Sequence, residues 1–156
     1  ERHHFPRTLG DIIVDAPDIA DFPVTSKTSV SQRFISRLDG LNEVSVRLAT
    51  HGRKPIAPIT LTLERLDETS RQVATRQWAD AADRNNDWLT LKFPPESGSA
   101  GIPFALTISS AAQSETESAS PWVVKWSPYP MREFTYSGDR IAEHCLCLRT
   151  RCVGQF

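Results

Sequence analysis

The sequence has no charge bias and no long apolar run. Eighteen lysines and arginines oppose 19 acidic residues, which gives a formal net charge of -1. A balanced charge offers no general attraction to nucleic-acid phosphates or anionic lipid. The longest apolar runs, such as residues 12–14 and 122–124, are far shorter than the roughly 20 residues that a membrane-spanning helix needs. We therefore predict no nucleic-acid partner and no membrane insertion.

The short motifs of several common enzyme classes are also absent. The sequence contains no G-x-S-x-G, no Walker loop, no G-x-G-x-x-G and no H-E-x-x-H. A nucleophile paired with one of the four histidines, or a pair of carboxylates, stays open as an alternative because such partners meet in space and not in sequence. We nevertheless predict a domain that is not an enzyme, with no catalytic residues.

Cysteine is scarce, and its three copies lie near the C-terminus at Cys145, Cys147 and Cys152. Three thiols cannot all pair within one chain, and their spacing differs from that of usual zinc sites even with His144 beside them. We favour buried thiols over a metal or redox site, and predict no metal. Residues 83–87 are rich in Asp and Asn, which leaves calcium as the single cofactor alternative to a solvated turn.

The length of 156 residues suits one domain. Residues 1–28 mix prolines and aspartates without a sustained period, which predicts a lead-in or linker that docks on a domain formed by residues 29–156. Glu1 rather than Met opens the sequence, which favours a processed product or an excised domain.

Apolar and polar residues alternate with period two in a series of short segments, as they do in half-buried strands. We expect a hairpin across the turn at Asp39-Gly40, a strand end at Pro94-Pro95 and a short helical turn near Ala81. Residues 109–120 are expected to form an exposed, mobile connection. About eight strands without a long helix predict an all-β, two-sheet antiparallel β-sandwich of jelly-roll type. The predicted strand segments are 29–36, 44–49, 59–64, 72–78, 88–93, 104–108, 122–126 and 145–150.

Several of these segments together resemble a known type of domain. The resemblance rests on Ser31-Gln32-Arg33-Phe34, Asp39-Gly40-Leu41, Val44-Ser45-Val46-Arg47-Leu48-Ala49-Thr50, Asn86-Asp87-Trp88-Leu89, Phe93-Pro94-Pro95, Ser99 and Gly101-Ile102-Pro103-Phe104. In this pattern the chain is similar to galactose-binding-like and carbohydrate-binding jelly-roll modules. Such modules occur as accessory parts of glycosyltransferases and of other cell-envelope carbohydrate proteins, so the resemblance implies an accessory, envelope-related role.

Aromatic residues supply the candidate ligand contacts. Sugar rings stack on Trp and Tyr, while their hydroxyls bind planar polar side chains. Each aromatic residue has an alternative role in the hydrophobic core, and Asp139 has one in a turn with Gly138. The candidate ligand-binding residues are Trp88, Trp122, Trp126, Tyr129, Arg53, Asn86 and Asp139.

Two functional classes therefore compete. The first is a non-catalytic accessory domain that binds carbohydrate and belongs to a larger glycan-related protein. The second is a structural sandwich that contacts a neighbouring domain or protein and binds no small ligand. Exposed aromatics beside polar side chains favour the first class, and an exposed apolar strip without polar neighbours favours the second.

Overall fold

The computed structural model describes the chain over residues 6–155, with the side chains of residues 9–153. Antiparallel strands and two single-turn 3-10 segments, Ala81–Asp83 and Glu115–Glu117, make up the regular structure of this part. The strands are β1 Pro6–Val14, β2 Val30–Ile35, β3 Leu41–Ala49, β4 Ile59–Leu66, β5 Ser70–Trp78, β6 Trp88–Glu96, β7 Pro103–Ser110, β8 Ser120–Pro121, β9 Val123–Val124, β10 Met131–Tyr136, β11 Asp139–Arg140, β12 Cys145–Leu146 and β13 Leu148–Gln155.

Two large sheets form the sandwich. In one, the strand order is β1-β13-β3-β6, and β8 pairs with β3. In the other, the order is β11-β10-β2-β7-β4-β5, and a small third sheet pairs β12 with β9. Every strand pair is antiparallel, and most successive long strands lie in opposite sheets. The predicted all-β, two-sheet jelly-roll sandwich is therefore confirmed.

The core lies between the two sheets and is filled by the inward side of the alternating strands. On β2, Val30, Gln32 and Phe34 are buried, as the period-two pattern predicts. Phe34 stacks on Phe104 of β7 with 5.8 Å between ring centroids. Since the inward residues of each strand are almost all apolar, burial of their side chains is the main stabilising contribution.

The segment expected to be a lead-in contributes a full strand. Strand β1 lies at a sheet edge, where it pairs with β13 from Pro6 to Val14 with a bulge between Gly10 and Ile13. The buried Asp11 carboxylate beside this bulge accepts hydrogen bonds from the Arg37 main-chain N–H at 2.9 Å and from Arg37 Nε at 3.1 Å. Residues 1–5, which include His3 and His4, lie outside the described residues.

The expected hairpin around Asp39-Gly40 is wrong, because β2 and β3 lie in different sheets and the turn carries the chain across the sandwich. Gly40 has a φ of +76°, and its carbonyl oxygen accepts a hydrogen bond from the Val153 N–H at 2.7 Å. A Cβ on Gly40 would lie 1.8 Å from the Val153 carbonyl oxygen. Only glycine fits this crossing.

Two other strand ends differ from expectation. Strand β6 continues through Pro94 and Pro95 to Glu96, because the two prolines lie where the pairing with β3 is interrupted: Glu43 pairs with Lys92 and Leu41 with Glu96. The predicted strand over 122–126 is limited to the two residues Val123–Val124, after an equally short β8. Strand β10 was not anticipated.

The remaining expectations about connections hold in part. The helical turn near Ala81 is confirmed, and Ser137 and Gly138 both have positive φ in the predicted tight turn between β10 and β11. The 109–120 connection is more buried than expected, since Ala112, Ala119 and Ser120 are inaccessible to solvent. No helix among residues 6–155 has the length and apolar character to cross a bilayer.

Candidate functional site

A cavity among the described residues lies at the β10–β11 edge of the six-stranded sheet. Its volume is about 540 Å³, within the range of typical small-molecule sites. Strands β2, β10 and β11 and the segment 141–144 surround it. The lining residues are Arg33, Ile35, Pro103, Ser127, Met131, Arg132, Glu133, Phe134, Arg140, Ile141, Ala142, Glu143 and His144. We refer to it as the arginine cavity.

A β-bulge shapes this cavity. Met131 pairs with Phe34 and Phe134 pairs with Gln32, so two residues of β10, Arg132 and Glu133, oppose a single residue of β2. The buried Gln32 holds the bulge from inside, because its Nε2 donates to the carbonyl oxygen of Arg132 at 3.2 Å. Its Oε1 accepts from the Leu146 N–H at 2.9 Å. The bulge thus turns two charged side chains toward solvent while Met131 and Phe134 stay buried.

The cavity combines an apolar lining with polar groups. Ile35, Met131, Phe134 and Ile141 provide apolar surface, and three arginines and two glutamates surround it. The His144 Nδ1–H donates to the Ala142 carbonyl oxygen at 2.7 Å, so Nε2 of the neutral ring is an acceptor. Apolar surface beside planar polar groups is the chemistry that a sugar ring requires.

Trp126 and Tyr129, two of the predicted ligand residues, lie beside this cavity. Arg132 places its guanidinium over the Tyr129 ring at 4.8 Å. Residues 126–132 contribute to the arginine cavity and also to a smaller neighbouring cavity of about 150 Å³. Trp126, Tyr129, Ile13 and Leu9 are exposed by 62%, 66%, 69% and 40%, and are the exposed large hydrophobic residues of the described chain. Ile13, Trp126 and Tyr129 line the smaller cavity together, and we call these three the apolar patch.

Trp88, Trp122 and Asn86 form a separate cluster whose contacts are internal. Trp122 Nε1 donates to Asn86 Oδ1 at 2.7 Å, and the Asn86 N–H donates to the Leu48 carbonyl oxygen. Guanidinium groups of Arg47 and Arg149 lie 5.5 Å and 4.0 Å from the centroid of the half-buried Trp88 ring. These contacts give each of the three residues a structural role within the fold.

The last two predicted residues lie elsewhere. Arg53 donates to the Ser118 carbonyl oxygen at 3.2 Å and lines a polar cavity of about 440 Å³ with His51, Asp21 and Glu115. Asp139 is exposed in the β10–β11 turn, next to Arg140. The sequence-based set therefore divides among three places, and only Trp126, Tyr129 and Asp139 lie at or beside the arginine cavity.

The three cysteines are free and buried. Burial raises the pKa of Cys145 to about 12 and those of Cys147 and Cys152 to about 11, so thiolates are suppressed at neutral pH. Cys145 Sγ donates to the Trp126 carbonyl oxygen at 3.0 Å. Within residues 6–155 no group of three or more His, Cys, Asp or Glu side chains is placed to hold a metal ion.

Comparison with known proteins does not assign the chain to a family. No protein-family model matches the chain, and no curated protein sequence matches it significantly. The resemblance to galactose-binding-like modules therefore stays a prediction.

Most residues of the arginine cavity were not identified as site residues from the sequence. The period-two alternation of β2 puts Arg33 on the face opposite Gln32 and Phe34, and residue type indicates the turn before Arg140. Neither observation indicated that these side chains converge with Arg132, because strands β2 and β10 are separated by about a hundred residues in sequence. The period-two pattern predicts on which face of the sheet a side chain lies, but not which strand is its neighbour.

Proposed function

We propose that this sandwich is a non-catalytic carbohydrate-binding domain, an accessory part of a larger glycan-related protein, and that it binds a sugar in the arginine cavity. The observation that supports this most is the combination, in one cavity, of buried apolar side chains with planar charged groups at its edge. Sugar hydroxyls find donors in Arg33 and Arg140 and acceptors in Glu133 and Glu143.

The aromatic neighbour strengthens the proposal. Tyr129 is largely exposed, and its ring is held by the Arg132 guanidinium, so a stacking face is available beside the cavity with little ordering cost on binding. The segment that carries it is anchored at both ends, by the Cys145–Trp126 contact and by the Ile35 N–H, which donates to the Pro130 carbonyl oxygen at 3.0 Å.

The absence of catalysis is part of the same proposal. The hydrogen bonds found for His51 and His144 go to main-chain carbonyl oxygens, of Ala20 and Ala142. Neither contact pairs a histidine with a nucleophile, which supports a binding role over an enzymatic one.

A glycan-array screen of the purified domain, followed by calorimetric titration of each hit, tests the proposal. We expect saturable binding that Tyr129→Ala weakens about fivefold, since a stacking aromatic contributes on the order of 1 kcal/mol. Asn86→Gly, which alters the separate Trp122 cluster, is the matched control and should leave affinity unchanged. If the folded domain bound no glycan on a broad array, the proposal would be refuted.

The apolar patch favours a second candidate, a sandwich that contacts a neighbouring domain or protein. Ile13, Trp126 and Tyr129 line the same small cavity, and Ile13 and Leu9, both exposed, belong to the edge strand β1. Iodide quenching tests it: the accessible Trp126 of the isolated domain should become protected in a longer chain that includes flanking sequence. Unchanged quenching, compared with Trp126→Phe as the reference, would contradict this candidate.

A further inference from the structure

Two arginines of the arginine cavity differ from the others in having no partner. Among the arginines whose side chains the structure describes, Arg33 and Arg140 alone contact no carboxylate within 4.0 Å, no aromatic face and no hydrogen-bond acceptor. Both are exposed, both line the same cavity, and each carries five N–H donors in a rigid fork. The cavity thus holds a concentration of unused donors.

The remaining described arginines are engaged. Six of them lie within 4.0 Å of a carboxylate: Arg37, Arg47, Arg65, Arg71, Arg84 and Arg151. Arg76 and Arg149 stack on tryptophan rings, and Arg53 donates to a carbonyl oxygen. The lack of partners at the cavity is therefore not a general property of the surface.

A third guanidinium at the cavity has a fixed position. Arg132 is held over Tyr129 at 4.8 Å and donates to the Met131 carbonyl oxygen at 3.3 Å, which leaves further N–H groups unused. Its main chain belongs to the bulge that Gln32 anchors. A positioned guanidinium loses little side-chain entropy when it binds an anion.

Two carboxylates moderate the positive charge. Glu133 and Glu143 line the same cavity, and neither lies within 4.0 Å of a described Arg, Lys or His side chain. The formal charge of the lining is therefore positive by one, with His144 neutral. The two carboxylates accept hydrogen bonds from neutral hydroxyl groups and repel an anion. A charged ligand must therefore present its negative group to the arginines and its hydroxyls to the glutamates.

We infer that the sugar bound in this cavity carries an anionic substituent, a uronate carboxylate or a sulfate ester, that Arg33 and Arg140 recognise. This inference rests on the proposed carbohydrate function and narrows it to acidic glycans. Carboxylate and sulfate share the planar or forked oxygen arrangement that guanidinium groups bind through two parallel hydrogen bonds.

Calorimetric titration with matched oligosaccharides tests the inference. The probes are α-1,4-linked trigalacturonic acid, its neutral counterpart galactotriose, a singly sulfated galactotriose and inorganic sulfate. We expect at least one acidic trisaccharide to bind about tenfold or more tightly than the neutral one at low salt, with the advantage shrinking as ionic strength rises. The better acidic probe distinguishes carboxylate from sulfate.

Paired variants provide the control. Arg33→Gln combined with Arg140→Gln should abolish the acidic preference, so that acidic and neutral trisaccharides bind the variant equally, since Gln keeps a hydroxyl partner but carries no charge. Arg71→Gln combined with Arg84→Gln changes net charge equally at positions outside the cavity and should preserve the preference. Glu143→Gln should increase acidic affinity several-fold, because it removes a like charge.

The outcomes separate the two claims. Equal binding of neutral and acidic sugars, or a preference that survives in the cavity double variant, would overturn the inference and leave the carbohydrate function standing. No binding of any sugar by the folded domain would overturn both. Inorganic sulfate bound as tightly as sulfated galactotriose would show an anion site to which the sugar contributes nothing, and would also contradict the proposal.

Discussion

The buried side-chain amide of Gln32 donates to the main-chain carbonyl oxygen of Arg132 at 3.2 Å, across two strands that meet at the β10 bulge. The same amide donates to the Arg33 carbonyl oxygen at 2.8 Å. One inward-facing polar residue therefore links the core to the wall of the arginine cavity. This contact explains why a glutamine occupies a fully buried position on an otherwise apolar strand face.

Replacing Gln32 with leucine should destabilise the domain. The Leu146 N–H and the bulge carbonyl oxygens would lose their partners, and an unmet buried polar group costs about 1–3 kcal/mol, so we expect a loss on the order of 3 kcal/mol. Urea unfolding followed by Trp fluorescence measures the change. The exposed Gln77→Leu serves as control and should stay within about 0.5 kcal/mol. Equal stability of both variants would contradict the anchoring role.

Gly40→Ala should be much more damaging than Gly101→Ala. Both glycines have nearly the same positive φ, +76° and +78°, so the backbone cost, about 1–2 kcal/mol, is shared. Only at Gly40 would the new Cβ meet the Val153 carbonyl oxygen, whereas nothing lies within 4 Å at Gly101. The difference in melting temperature between the two variants measures the cost of this close approach. Similar melting temperatures would show that the contact with the Val153 carbonyl oxygen adds no cost.

Asn86→Gly should lower stability by about 1 kcal/mol through loss of the hydrogen bond to Trp122 Nε1. Asn86→Ala should cost about 1 kcal/mol more, because Ala tolerates the φ of +64° poorly. Urea unfolding measures both, and a shift of Trp emission should accompany them. If either variant lost sugar binding while its stability stayed intact, the structural assignment of this cluster would be wrong.

The cysteines predict a loss of stability at alkaline pH. Their pKa values are raised by burial from the ordinary 9.0 to about 12 for Cys145 and about 11 for Cys147 and Cys152. The unfolded chain thus releases these protons first. The contribution of the protonated thiols to the free energy of unfolding is complete below about pH 9 and declines as the pH rises toward 11–12.

Urea unfolding at pH 8, 9 and 10 under reducing conditions measures this effect. Lysine and tyrosine also titrate in this range, so the comparison is with Cys145→Ala, whose stability should fall less steeply between pH 9 and 10. Parallel slopes for the two proteins would contradict the raised pKa of Cys145.

Much of the fold follows from local patterns in the sequence. The alternation of Val30, Gln32 and Phe34 correctly predicts the inward face of β2, and the turn near Gly138 is recognisable from residue type alone. By contrast, β10 is hidden because the bulge inserts an extra residue between Met131 and Phe134, which breaks the period of two.

The sheet to which each strand belongs is not a local property. Asp39-Gly40 has the composition of a hairpin turn, yet the chain crosses to the opposite sheet because Gly40 pairs with Val153, more than a hundred residues away. The arginine cavity depends on such distant pairings as well, since Arg33 meets the 140–144 segment only when β2 and β10 are neighbours. Periodicity therefore predicts strands and faces but not the site.

The most direct test of the central claim is a ¹H–¹⁵N correlation spectrum of the domain titrated with the best glycan from the array. We predict that the perturbed amides cluster around Arg33, the Arg132–Glu133 bulge and residues 140–144, with Tyr129 at their margin. Perturbations centred on Trp88 and Trp122, or on His51 and Arg53, would place the sugar at another surface and contradict the account.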